Sequence, residues 1–147
     1  MSATFTISVL AWEKALPLAR PVREEVFVAE QKVPLELEWD EWDERSDHAV
    51  ARDASGRAIG TARLLPDGRI GRMAVLREWR RRGVGAALME GLLQKAREQS
   101  LSRVTLHAQT HAAGFYRRLG FSERGGEFWE AGIAHVEMTL ELSPPRR

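Results

Sequence analysis

Apolar and polar positions alternate along the first residues of the chain. Residues 4–10 (TFTISVL) carry this period-two pattern with β-branched residues and predict a strand. Over residues 16–29 the spacing changes: Leu18, Val22, Val26 and Phe27 recur at helical intervals, with Pro17 and Pro21 near the start. That predicts a helix broken early. Residues 31–47 are acidic, hold Trp39 and Trp42, and read as a loop with one short helix. Three alternating runs follow at 48–52, 58–65 and Ile70–Val75, separated by the turns Ala54-Ser55-Gly56-Arg57 and Pro66-Asp67-Gly68. Short glycine-containing turns between such runs predict antiparallel hairpins. In residues 84–99, Val84, Leu88 and Leu92 share a face while Gln94, Lys95, Arg97 and Glu98 share another, which predicts an amphipathic helix. A strand over 103–108, a helix over 110–119 ended by Gly120, and last strands at Phe121 and 135–142 complete the pattern. This order describes a mixed α/β (α+β) fold, with an antiparallel half and one βαβ crossover between residues 70 and 108.

Composition narrows the class. At 147 residues and 44% hydrophobic, the chain is expected to form one compact domain over 1–147, with 143–147 (SPPRR) as a frayed tail. Lys and Arg number 22 against 21 Asp and Glu, which argues against a nucleic-acid partner. The charge is uneven: Arg77, Arg80, Arg81 and Arg82 crowd together, whereas residues 36–44 are strongly acidic. The sequence has no cysteine, so disulfides, thiolate metal sites and cysteine nucleophiles are excluded. No apolar run approaches the roughly 20 residues of a membrane span, and the first residues lack a signal-peptide pattern. A cytoplasmic protein without a membrane partner is expected.

The stretch from Ile70 to Leu88 (IGRMAVLREWRRRGVGAAL) carries the chemistry. A strand runs into an arginine-rich loop, and Gly83 and Gly85 open a helix. The first N–H groups of a helix have no internal partners, and with the helix dipole they form an anion site suited to phosphate. Three phosphate ligands are weighed. A mononucleotide loop needs Gly-Lys-Ser/Thr where this chain has Gly85-Ala86-Ala87. A dinucleotide loop needs G-x-G-x-x-G directly after the strand, whereas Gly83-Val84-Gly85-Ala86-Ala87-Leu88 lacks the third glycine and follows the strand only after about seven residues. The pyrophosphate of coenzyme A is the third.

Arg80-Arg81-Arg82-Gly83-Val84-Gly85 resembles the R/Q-x-x-G-x-G/A signature of the GNAT acetyltransferases. Met73-Ala74-Val75 resembles their cofactor-contacting strand. Leu106-His107-Ala108-Gln109, followed by residues 112–121 (AAGFYRRLGF), resembles their second half. Residues 27–34 (FVAEQKVP) and Gly132-Ile133-Ala134-His135 resemble the ElaA/YjcF-like branch. The resemblance implies a GNAT acyl-CoA N-acyltransferase fold, a mostly antiparallel sheet with a splayed cofactor cleft. It implies acetyl-CoA as cosubstrate and a primary amine as acceptor. Cofactor contacts would fall on Met73, Ala74, Val75, Arg80, Arg81, Arg82, Gly83, Val84, Gly85, Ala86 and Gln109. A homodimer is implied by the same analogy.

Expulsion of a thiolate calls for a proton donor. A thiol pKa of roughly 8.5 lies close enough to the roughly 10 of a phenol for a placed tyrosine to serve. Tyr116 is the only tyrosine, falls on the family's tyrosine position, and is expected to be the general acid. An alkylammonium must also lose a proton before it attacks. Candidate bases are Glu30, the carboxylates of residues 40–43, His48, His107 and His135. Glu30 and His107 are the ones assigned to the acceptor side. His107 and His111 stand four apart without a third ligand, so no metal is expected. Acidic residues 36–47, with Trp39 and Trp42 among them, suggest a cationic acceptor such as a polyamine, a lysine or an amino sugar.

Overall fold

The computed structural model describes residues 4–33 and 40–142. Four strands, β1 (Phe5–Ala11), β2 (Asp47–Asp53), β3 (Ala58–Leu64) and β4 (Ile70–Val75), form one antiparallel sheet in chain order. Three more, β5 (Arg103–Gln109), β6 (Ser122–Glu130) and β7 (Ile133–Glu141), form a second antiparallel sheet in the order β5-β7-β6. The helices are α1 (Trp12–Arg23), α2 (Val84–Glu98) and α3 (Ala113–Arg118).

The two central strands of the first sheet are buried on both faces, because a helix covers each. On one face His48, Val50, Thr61 and Arg63 lie under α1, where Trp12 packs on the His48 ring with centroids 4.7 Å apart. On the other face Ala49, Ala51, Gly60 and Ala62 lie under α2. The small side chains there set the helix close: a Cβ on Gly60 would stand 3.0 Å from Val84 Cγ1 and 3.2 Å from Leu88 Cδ1. Leu88, Met89, Leu92 and Ala96 of α2 are fully buried in the same core as Val104, Leu106 and Met138 of the second sheet. Burial of such side chains, at about 25 cal/mol per Å² of apolar surface, is the main force holding α2 between the sheets.

Three expectations need correction. The first helix is not broken early; it runs from Trp12 through both prolines to Arg23. Pro17 and Pro21 are four apart on its exposed side, so the carbonyls they leave unpaired face water. The helix then continues as a π-helical stretch, Glu24–Glu30, with Gln31 N–H donating to the Val26 carbonyl at 3.0 Å. Residues 110–119 open with a 3₁₀ turn at Thr110–Ala112, so α3 itself has only six residues. Residues 122–130 form a nine-residue strand that the apolar pattern did not announce. β6 has a register shift between Arg124 and Phe128, where Gly125 and Gly126 bulge away from β7.

The sheets meet at one place. Arg69 and Thr105 form a lone parallel bridge, and Thr105 N–H donates to the Gly68 carbonyl at 3.0 Å. Beyond it β4 and β5 pair with their own sheets only, so the two diverge from a common origin. This is the βαβ crossover β4-α2-β5, opened into a V.

Candidate active site

The divergence creates a cleft of about 640 Å³. Ile70 to Met73 line one wall, Leu106 to Gln109 the other, and Tyr116, Glu130 and His135 close it from the second sheet's side. The β4 wall is irregular. Arg63 pairs with Gly71 and Thr61 with Ala74, so two residues of β4, Arg72 and Met73, oppose one of β3. Arg72 takes φ of 48°, a left-handed conformation that costs a non-glycine residue about 1–2 kcal/mol. Such a bulge re-aims the backbone toward the open side of the strand.

Ion pairs hold the bulge. Asp40 accepts from Arg63 at 2.6 and 2.9 Å and from Arg72 at 3.3 Å. Asp43 accepts from Arg63 at 3.0 Å and from Arg23 of α1 at 2.8 and 3.2 Å. Burial opposes ionisation of both aspartates, but the arginine hydrogen bonds and charges prevail and hold both carboxyls below the usual carboxylate range. These two carboxylates are therefore committed to arginines, which makes them poor proton acceptors and poor counter-ions for a cationic acceptor. Trp42 likewise lies between the Arg45 and Arg69 guanidiniums, each 5.4 Å from its ring. Trp39 and the acidic residues 36 and 38 lie outside the described residues.

At the far end of β4, the chain turns through Arg77–Trp79 into α2. Arg81 and Gly83 both adopt positive φ, 63° and 84°, and so turn successive amides around the loop. Gly83 is the N-cap of α2 and offers no side chain to its first turn, which also lacks an acidic residue. Nothing lies within 4 Å of where a Gly83 Cβ would be. The first bond of the helix is Ala87 N–H to the Gly83 carbonyl, which leaves the earlier amides without helical partners. Arg80, Arg81 and Arg82 are exposed around them. Arg80 donates to the Val75 carbonyl and to Glu30, and Arg82 stacks on Trp79 at 5.3 Å. Gly85 faces Phe115 and Met73, a Cβ there standing 3.4 and 3.7 Å from them. The loop, the helix end and the V thus suit a ligand that presents a pyrophosphate and a long arm.

Tyr116 of α3 packs edge-on against Phe115 and Phe121, with centroids at 5.0 and 6.0 Å. Its phenol makes no hydrogen bond among the described residues and lines the cleft. Burial pushes its pKa up, so it stays protonated at neutral pH. Glu30, by contrast, is bound to Arg80 at 2.8 Å and lies 3.5 Å from Arg77; the Arg80 hydrogen bond holds its carboxyl low. His48 is buried away from the cleft and donates from Nε2 to the Asp43 carbonyl at 2.9 Å. His107 lines the cleft from β5, with Nδ1 3.0 Å from Glu130 Oε1 and Nε2 3.9 Å from Glu137. Gln109 also lines it and pairs with His111 at 2.6 Å. Among the described residues no cluster of three His, Asp, Glu or Cys suits a metal ion. Glu130, which the sequence does not single out, reaches the cleft from a mostly exposed strand without an apolar signature.

A splayed βαβ unit with a bulged strand and a bare helix N-terminus is the architecture of acyl-CoA N-acyltransferases. An acyl-CoA N-acyltransferase from Pseudomonas aeruginosa matches with a TM-score of 0.80 and 32% identity, covering 92% of this chain and 99% of that one. ElaA of Escherichia coli matches with a TM-score of 0.83 and 26% identity, covering 94% and 100%. The chain belongs to the GNAT acetyltransferase family: the model for the acetyltransferase (GNAT) domain matches residues 15–142. A relative in Bacillus subtilis, the uncharacterized N-acetyltransferase YjcF, is 41% identical over 132 residues, covering 86% of this chain and 92% of that protein.

Proposed function

We propose that the chain is an N-acetyltransferase that moves the acetyl group of acetyl-CoA to a primary amine by direct attack. The observation that carries this is the opening of β4 from β5 beyond the Thr105–Gly68 bond, with the amides of residues 81–86 at one end and a protonated Tyr116 beside the gap. In this reading the residue 81–86 backbone and the neighbouring arginines hold the pyrophosphate, and the pantetheine arm lies along Met73 to Val75. Acetyl-CoA supplies the activated acyl group. The Met73–Ala74 backbone donates to the thioester oxygen as negative charge grows there. Tyr116 gives its proton to the departing sulfur. The protein would work in the cytoplasm as a single domain.

Calorimetry with acetyl-CoA, ATP and NAD, followed by a panel of primary amines monitored for free thiol release, tests the reading. We expect binding of acetyl-CoA alone among the three, and thiol release with at least one amine. Preferential binding of ATP or NAD overturns it. Acetyl-CoA binding without turnover of any amine would instead make the chain a non-catalytic acyl-CoA sensor or partner module.

A further inference from the structure

His135 lies on β7 opposite Gln109, lines the cleft on the side away from the Thr105 junction, and is nearly buried, with 7% of its surface exposed. Its Nδ1 is 2.8 Å from the backbone carbonyl of Ile133. A carbonyl only accepts, so Nδ1 carries the proton. In the neutral ring Nε2 is then the bare nitrogen, with no hydrogen-bond partner among the described residues and a lone pair to take a proton. Glu130 Oε2 stands 3.7 Å from that nitrogen, beyond hydrogen-bond length, so a carboxylate lies beside the bare nitrogen without occupying it. Phe128 stacks on the ring with centroids 6.0 Å apart.

We propose that His135 Nε2 is the base that takes the proton from the acceptor's ammonium, and that Glu130 anchors that ammonium and then stabilises the imidazolium. The assignment rests on the acyl-transfer reading above and supplies the base that reading lacks. The charged and titratable groups around the cleft are consistent with it. From β4 comes Arg72, paired to Asp40; from β5, His107; from β6, Glu130; from β7, Glu137; from α3, Tyr116; and from the Thr110–Ala112 turn, His111, bonded to Gln109. His107 Nδ1 lies 3.0 Å from Glu130 and so holds that carboxylate in place, and its ring is 46% exposed, where His135 is sheltered in the cleft. Protons balance as follows. The ammonium gives one proton to His135, which releases it to water. The neutral nitrogen bonds to the acyl carbon as the carbon–sulfur bond breaks. Tyr116 protonates the sulfur and recovers a proton from the new amide nitrogen. The products are amide, thiol and one free proton.

Two measurements on the full chain decide it. Nitrogen-15 spectra of the imidazoles should show the His135 ring protonated at Nδ1 and bare at Nε2; the opposite tautomer overturns the proposal. With an amine taken from the panel, His135→Gln should lower kcat/KM by about a hundredfold or more. Acetyl-CoA affinity and thermal stability should change little. Glu130→Gln, on the exposed strand, should raise KM for the amine by about tenfold or more while changing kcat less, because the ammonium loses its anchor. An unchanged kcat/KM in His135→Gln with intact acetyl-CoA binding sinks the base assignment alone, whereas a wild-type chain that binds no acetyl-CoA sinks the functional reading beneath it.

Discussion

The Thr105 amide donates to the Gly68 carbonyl at 3.0 Å, and from that bond β4 and β5 part. The contact leaves no room at residue 68. Gly68 has φ of 96°, and a Cβ there would sit 2.6 Å from the Arg103 carbonyl oxygen. Gly68→Ala therefore meets both left-handed strain and a backbone clash. We expect a loss of stability of about 2 kcal/mol or more, read by denaturant unfolding, and a distorted cleft, read as weakened acetyl-CoA binding. Wild-type stability in this variant would show that the two sheets are not pinned there.

Gly83 meets a different constraint. Its φ of 84° is strained for any L side chain, yet the space around it is open. Gly83→Val should therefore fold, since the residue is exposed and at a helix end, but with the loop re-shaped away from its left-handed turn. Because the amides of residues 81–86 are the proposed pyrophosphate contacts, the dissociation constant for acetyl-CoA should rise by roughly tenfold or more, about 1.4 kcal/mol. Full affinity in calorimetry would remove the main-chain cradle from the mechanism.

Tyr116→Phe removes one oxygen from a ring held by Phe115 and Phe121. The packing survives and the hydroxyl has no hydrogen-bond partner to lose among the described residues, so stability should hold within about 0.5 kcal/mol. A missing proton donor should cost kcat about a hundredfold while leaving acetyl-CoA affinity unchanged. Unchanged kcat would mean that the departing thiolate is protonated by water or another group.

Much of this was legible in the sequence, for physical reasons that differ by element. Strands β2 to β4 were announced by turns with glycine between apolar runs, and α2 by one apolar stripe, because each buries a face that its own residues must supply. β6 was not, since its residues are mostly exposed and it exists through pairing with β7 rather than through a buried face of its own. The glycine loop before α2 and Tyr116, the proposed contacts of the pyrophosphate and the departing sulfur, sit in short local motifs that the sequence displays without a structure. The tautomer of His135 and the nearness of Glu130 arise from a bond to Ile133 and a strand pairing, neither of which local pattern encodes. Arg23 looked like one of many helix arginines, yet it is 1% exposed and bound to Asp43 across 20 residues of sequence.

That buried cluster predicts acid sensitivity in two stages. Burial depresses the His48 pKa in the fold, where its Nε2–H donates to the Asp43 carbonyl at 2.9 Å and Trp12 lies against its ring. A group with a depressed folded pKa gives stability that is whole above its unfolded pKa, roughly 6.5 for histidine, and lost as pH falls through the folded value. Asp40 and Asp43 are also depressed, but their unfolded pKa is roughly 3.9, so their contribution stays whole until far lower pH. Melting temperature should thus be level above about pH 7 and begin to fall below about pH 6.5, each kcal/mol lost costing about 4 °C in a chain of this size. A second, steeper fall should follow below about pH 4 as the arginine-bound carboxylates protonate. His48→Gln keeps an N–H for the Asp43 carbonyl without a titrating ring, so it should flatten the first stage and leave the second in place. A profile that keeps both stages in that variant would place the histidine effect elsewhere, and one that loses only the second would contradict the ion pairing of Asp43 with Arg23.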